Sequence, residues 1–332
     1  MGRIRVYDAY QNVITDITNI DIKPVNIFGK GKKIAVYDGT KIYIYDFVAK
    51  ALYSFTPSIT IDDVWYQVAG RSGSVVYLLD YNGNILYQYD TGKTLNRVAL
   101  KGDKKVIASY NGGVMIIDFS TSPPTTKTPN VDPNANHLFV DCDETGYCIS
   151  TTNVHTQTYH NNNYDGCDWW VIDPNDNSVG AVWYGNLSVA FCSYALAGNG
   201  AFIVNREQNN ALTSVELYTY TLTQITNYQS LASYNNPCIA PATPNSGIGN
   251  TNYAQLLLRK TDNTTARIQL GYLIKSGYGV EYDNGNKILY ILIDDKNNIR
   301  RVRIDRSTGS IIDDVVISTL SQAPNVYRPV VI

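Results

Sequence analysis

The stretch "NVHTQTYHNNNYDGCDWW", residues 153–170, gathers two of the three histidines with Asp165, Cys167 and a Trp-Trp pair. Imidazole, carboxylate and thiolate are the ligand types zinc takes, so a metal site on His155 and His160 with Asp165 or Cys167 is the first chemistry to test. The spacing argues against it. Residues five apart on a strand point to opposite sides, and a structural zinc needs four converging ligands. No metal and no other cofactor is therefore expected. The stretch does offer hydrogen bonds beside flat aromatic surface. His155, Tyr159, His160, Asn161, Asn162, Asn163 and Tyr164 form a set suited to a glycan or protein partner. The competing reading is a surface insertion that touches nothing.

The cysteines lie around the same stretch. Cys142 and Cys148 flank a tight turn and face one another across a predicted hairpin. Oxidised, a loop this short contributes about 2 kcal/mol or less. Cys167 and Cys192 open neighbouring predicted strands and form a second candidate pair that would hold the insertion's base. Buried free thiols are the alternative for all four.

Two other groups of charged residues invite chemistry. Lys30, Lys32 and Lys33, then Lys101, Lys104 and Lys105, fall in predicted first-to-second-strand turns, with Arg71 between them. Together they would make a basic patch for an anionic partner; solvated turn lysines are the alternative. Asp62-Asp63, Asp294-Asp295 and Asp313-Asp314 are paired carboxylates. A glycosidase needs two acids that are close only in space, so a carbohydrate- or lactone-acting hydrolase with axial carboxylates stays open as the second function. No nucleophile elbow, phosphate loop, HExxH or dinucleotide fingerprint occurs, and a non-enzymatic role is expected.

The elements that position these residues are read from the rest of the chain. Its 332 residues are 44% hydrophobic and 17% charged, with a net charge of −2. That balance describes a globular protein and argues against nucleic acid as the main partner. Tyrosine is the outlier, 27 against 7 Phe, which suits half-buried strands and binding faces. No apolar run is long enough to insert in a membrane, and "MGRIRVYDAY" carries no apolar signal core. An extracellular or virion-surface location without a conventional signal peptide is favoured, weakly helped by sequons at Asn186 and Asn263.

Helical periodicity is nearly absent, and short alternating runs separated by Gly, Asn and Asp continue from end to end. Segments 32–55, 74–98 and 287–316 superpose as strand, Asp/Asn/Gly turn, strand ending in Asp, polar turn and strand, with a shorter copy at 104–119. Repeats of about forty residues with this grammar predict four-stranded propeller blades. The predicted fold is a single all-β propeller domain over 1–332, with seven blades near 24–56, 64–95, 96–129, 136–185, 187–229, 236–276 and 278–318. Segments 3–20 and 326–332 would close the ring and remove exposed strand edges. Eight blades is the next count, and two β-sandwiches the competing architecture. In this frame 152–167 replaces a second-to-third-strand turn that is tight elsewhere, at Asp38-Gly39, Asn82-Gly83 and Asn111-Gly112. The segment 230–251, rich in Pro, Asn and Gly, reads as a second excursion.

"DYNGNILYQYDTGK" and "IDDKNNIRRVRIDRSTG" resemble the repeats of quinoprotein-type and YVTN-type β-propellers. Of the Trp that quinoprotein blades carry, only Trp183 sits comparably. The resemblance implies the fold and transfers no activity. The Tyr- and Asn-rich composition is similar to that of virion proteins of hyperthermophilic archaeal viruses.

Overall fold

One recurrent turn cuts this chain into strands. An aspartate ends a strand and its carboxylate accepts the main-chain N–H groups two and four residues on. Asp80 accepts from Asn82 and Asn84 at 2.8 and 2.9 Å, Asp143 from Thr145 and Tyr147 at 2.9 and 3.1 Å, and Asp294 from Lys296 and Asn298 at 2.9 and 2.8 Å. The residue between, Gly83, Gly146 or Asn297, reverses the chain with φ of 87°, 85° or 63°. The carboxylate satisfies amides that no strand partner can reach, which is why Asp recurs there.

The structure, a computed structural model, describes residues 2–7, 13–20, 26–153, 155–159, 162–185, 190–192, 196–198, 201–208, 211–222, 224–229, 246–249, 255–262 and 264–319. These residues form antiparallel sheets in chain order, with no helix among them. The first sheet is Asn26–Lys30, Lys33–Tyr37, Ile42–Asp46 and Ala51–Phe55. The second is Thr60–Val64, Val68–Ser72, Val75–Leu79 and Ile85–Asp90. The third is Leu95–Gly102, Lys105–Tyr110, Gly113–Asp118 and Thr125–Lys127. The fourth is His137–Cys142, Cys148–Thr152, Asn162–Ile172 and Ser178–Gly185, with His155–Tyr159 added to its third strand.

In the fifth, Ala190–Cys192 and Leu196–Gly198 both pair with Ala201–Gln208, followed by Ala211–Thr219 and Gln224–Gln229. The sixth has Ser246–Gly249, Gln255–Arg259 and Thr265–Gln269 among the described residues. The seventh is Ile274–Tyr282, Lys287–Asp294, Asn298–Asp305 and Ile311–Thr319. Ahead of them Gly2–Tyr7 and Val13–Ile20 pair as a ribbon. The segment 326–332, expected to close the ring, lies outside the described residues, as do 230–245 of the second excursion.

Neighbouring sheets pack face to face through both faces of their inner strands, the arrangement of an all-β propeller. In the third sheet Val98, Leu100, Val106 and Ala108 pack on Ala69, Val76 and Leu78 of the second. The alternate residues Ala99, Ile107, Val114 and Ile116 pack on Val140, Cys142 and Cys148 of the fourth. Burial on both faces explains why such strands read as nearly continuous apolar runs, each buried Val, Leu or Ile contributing roughly 1.5–3 kcal/mol. Outer strands such as Thr125–Lys127 are exposed throughout.

The second sheet differs in register from its expected span, 64–95. Residues 65–67 form the first-to-second turn, closed by the Trp65 N–H on the Gln67 carbonyl at 2.9 Å, and the strands begin at Thr60. Asn82-Gly83 is consequently a third-to-fourth turn. The same Asp-led turn serves every kind of connection, so its residues do not report which one they make.

Candidate functional site

The connection between the second and third strands is a two-residue turn in the second and third sheets. In the fourth it is a paired ribbon. His155–Tyr159 aligns with Asn162–Gly166, in the register His155↔Gly166 to Tyr159↔Asn162. The third strand runs unbroken from Asn162 to Ile172, its far half pairing with Cys148–Thr151. The fourth strand supports it on the other side only up to Gly166↔Gly185. At about 3.3 Å per residue, the two-stranded part carries its tip roughly 15 Å past the sheet. Tyr159, Asn162, Asn163 and Tyr164 belong to its strands; His160 and Asn161 lie outside the described residues.

The root of this ribbon is held by polar groups. The Asn153 N–H donates to the Asn136 carbonyl at 2.8 Å, and the Asn136 N–H donates back to Asn153 Oδ1 at 3.0 Å. Asn96 Nδ2 bridges Asn136 Oδ1 and the His137 carbonyl at 2.7 and 2.9 Å. His137 is fully buried, its ring nitrogens on Ser150 Oγ at 2.8 Å and the Asp132 carbonyl at 3.2 Å. Burial pushes its pKa down, so it is neutral at physiological pH. Asp168 donates its N–H to Thr152 Oγ1 at 2.8 Å.

On this frame His155 Nε2 lies 3.2 Å from Asp132 Oδ2 and 3.4 Å from Asp168 Oδ2. One ligand atom from each of the three residues falls within 4.8 Å of the others. These three could hold a cation. The sequence paired His155 with His160, Asp165 or Cys167; the structure sets it against Asp132 and Asp168 instead. Opposite Gly166, His155 has Asp168 as its same-face diagonal neighbour. That relation appears only once the register is known, and Asp132 arrives from the segment between the third and fourth sheets.

Cys142 and Cys148 are bonded to each other across their turn. Cys167 is also disulfide-bonded, while the Cys192 side chain lies outside the described residues.

The structure divides the basic set. Lys30, Lys32, Lys33, Lys101, Lys104 and Lys105 do occupy first-to-second turns and their flanks. Arg71 pairs with Thr60 at the opposite end of its sheet, bonded to Asp62 at 2.8 Å. Lys101 is buried, its Nζ on the Gly146 and Asp173 carbonyls at 2.5 and 2.6 Å and 3.5 Å from Asp176. Lys30 donates to the Leu100 carbonyl at 3.2 Å, lies 3.8 Å from Asp63 and sits over Trp65. Lys33 pairs with Asp46, and Lys105 with Asp118 and Asp176. Lys104 lies over the Tyr87 ring at 6.0 Å. Lys32 is the one exposed member of the set.

The paired carboxylates are engaged as well. Asp62 accepts the Val98 N–H at 3.1 Å and Asp63 the Leu100 N–H at 2.8 Å, fastening the second sheet's inner strand to the third's. Asp294 and Asp314 both bind Arg300, and Asp313 binds Arg301 and Arg303.

No family model and no curated protein matches this chain. Solved structures do. Hsv2p of Kluyveromyces lactis is similar over 81% of this chain and 91% of its own, at 11% identity and a TM-score of 0.51. The Pan2 WD40 domain of Neurospora crassa is similar over 81% and 85%, at 10% identity and a TM-score of 0.47. Apo AztD from Citrobacter koseri is similar over 90% and 83%, at 13% identity and a TM-score of 0.46. At such identities the likeness concerns fold alone, and the Hsv2p match agrees with the sheet order: this chain is a β-propeller. No helix among the described residues is long and apolar enough to cross a membrane.

Proposed function

We propose that this propeller is a non-catalytic binding module in an extracellular or virion-surface setting. Its protein or glycan partner docks on the end that carries the fourth-sheet ribbon. The observation behind this reading is the ribbon itself. A turn of two residues suffices to join second and third strands in the second and third sheets, so the added strands His155–Tyr159 and Asn162–Gly166 serve no need of the sheet. Departures from a repeat on one face of such a scaffold are where recognition concentrates, and the tip sequence "YHNNNY" is rich in the amide and phenol groups that contact sugars and proteins. Disulfides at Cys142–Cys148 and Cys167 suit an oxidising compartment. Of the paired carboxylates, Asp62, Asp63, Asp294, Asp313 and Asp314 are held by arginines or main-chain amides, which favours binding over acid–base chemistry.

The test replaces 156–165 with Asn-Gly and compares intact and shortened chains on a glycan array and a panel of surface proteins. The shortened chain is expected to keep its melting temperature within a few degrees and to lose the partner. A shortened chain that binds the same ligand equally well removes the ribbon from the function.

A further inference from the structure

We infer that Asp132, His155 and Asp168 bind a first-row divalent metal ion, zinc foremost, which clasps the root of the ribbon to the sheet. The inference needs no partner for the ribbon and stands apart from the proposed function. Three segments distant in sequence supply the ligands: the connection between the third and fourth sheets, the ribbon's first strand and the fourth sheet's third strand.

The tautomer of His155 points this way. Its Nδ1 lies 3.0 Å from the Asn153 carbonyl, which can only accept, so Nδ1 carries the proton. A backbone carbonyl holding the far nitrogen is the usual support of a metal-bound imidazole. Nε2 faces Asp132 Oδ2 and Asp168 Oδ2, at 3.2 and 3.4 Å, so one nitrogen and two oxygens converge on the space an ion would occupy. Donor atoms bonded to one tetrahedral zinc at about 2.0–2.2 Å stand roughly 3.3–3.6 Å apart, close to these separations.

Charge and burial agree. The side chains of His155, Asp132 and Asp168 are 10%, 17% and 3% exposed. A divalent ion brings two positive charges to two carboxylates, where a protonated imidazole brings one. One nitrogen and two oxygens suit zinc and its neighbours better than calcium or magnesium, which prefer oxygen alone. The frame is also set in advance: the Asn136–Asn153 pair, the Thr152–Asp168 bond and the His137 contact on the Asp132 carbonyl fix all three backbones. Water or a partner's side chain completes the coordination.

The full chain, stripped with chelator and dialysed against zinc chloride, is expected to retain one ion per chain by elemental analysis. Cobalt in its place should give the visible absorption of a low-symmetry four-coordinate site. Asp168→Asn and His155→Gln should each weaken zinc by at least about 100-fold, since even outer-shell changes cost 10–100-fold. His160→Gln should leave affinity unchanged. If Asp168→Asn fails to fold, Asp132→Asn carries the same expectation. Failure of the native chain to retain zinc overturns the assignment, and so does zinc uptake by the Asp132 and Asp168 variants equal to that of the native chain.

Discussion

The two ends of the propeller use the same residue types to opposite purposes. At the end of the first-to-second turns, charged groups reach across sheets and end on main-chain or hydroxyl partners. Lys30 of the first sheet meets the Leu100 carbonyl of the third, and the Gly31 N–H meets Glu144 of the fourth at 3.0 Å. Lys101 of the third meets two carbonyls of the fourth. Asp143 takes the Tyr220 hydroxyl of the fifth at 2.7 Å, with Tyr147 and Tyr220 stacked at 4.2 Å. At the other end, Asp132, His155 and Asp168 gather at the root of a ribbon that leaves the sheet. The first end uses its charge to hold neighbouring sheets together; the other does so through Arg71 and Asp62 and, in addition, gathers charge where the repeat is broken. Charge counted along the sequence cannot separate these uses; the partner of each group can.

The largest effect should come from breaking the first end. Lys101→Met removes a buried cation and strands the Gly146 and Asp173 carbonyls, with an expected loss of about 3 kcal/mol in urea unfolding. Ribbon removal at the other end should cost little, so equal unfolding midpoints for native chain and Lys101→Met would erase the contrast. The pH dependence adds a second readout. Burial lowers the Lys101 ammonium below the usual lysine value, against the pull of Asp176. The folded chain therefore binds fewer protons there than the unfolded one, and stability from this group rises with pH. The advantage of native chain over Lys101→Met should widen as pH climbs toward the lysine range.

A smaller effect is expected at Asp294, which makes the Asp-led turn in a second-to-third connection of the seventh sheet. Burial would raise its carboxyl, but bonds from Arg300, Asn298 and the Lys296 amide outweigh that and hold it at about 2. A carboxyl held low stabilises the fold above its unfolded value and loses that contribution as pH falls through the folded one. Asp294→Asn should cost about 2 kcal/mol at neutral pH, in keeping with hydrogen bonds to a charged group. The gap should close between about pH 4 and pH 2. A gap that persists at pH 2 would mean that the turn does not depend on the charge.

The turn aspartates were legible because their chemistry is local: acceptor and amides lie within four residues. The same locality hid the register of the second sheet. Asp80-led and Asp294-led turns look alike in sequence, yet one joins third to fourth strands and the other second to third. The Trp65–Gln67 turn carries no Gly, Asn or Asp and reads as strand. The extension at 152–167 was visible as a break in the repeat, but its cation-binding triad was not. Asp132 lies in a Pro- and Asn-rich connection 23 positions before His155, and only the folded path brings it back.

The smallest effect concerns Lys32, two positions from Lys30 and identical in type. Gly31 and Lys32 form a two-residue hairpin turn with φ of 54° and 60°, the geometry that Asn-Gly or Gly-Gly pairs adopt most easily. A Cβ on Gly31 would fall 2.1 Å from Trp65 Nε1, so glycine is required there by contact. Lys32 is required by nothing: it is exposed, and its left-handed backbone is strained for a side chain. Lys32→Gly exchanges that strain for the greater unfolded-state freedom of glycine, for a net change of about 0.5 kcal/mol or less. The measurement is the urea midpoint beside that of Lys30→Met, which loses the Leu100 carbonyl, Asp63 and the Trp65 ring together. A large loss at Lys30 with none at Lys32 separates the lysine that joins sheets from the one that only faces water. Comparable losses at both would mean that the turn's shared charge, and not the reach of one side chain across the sheets, holds this end together.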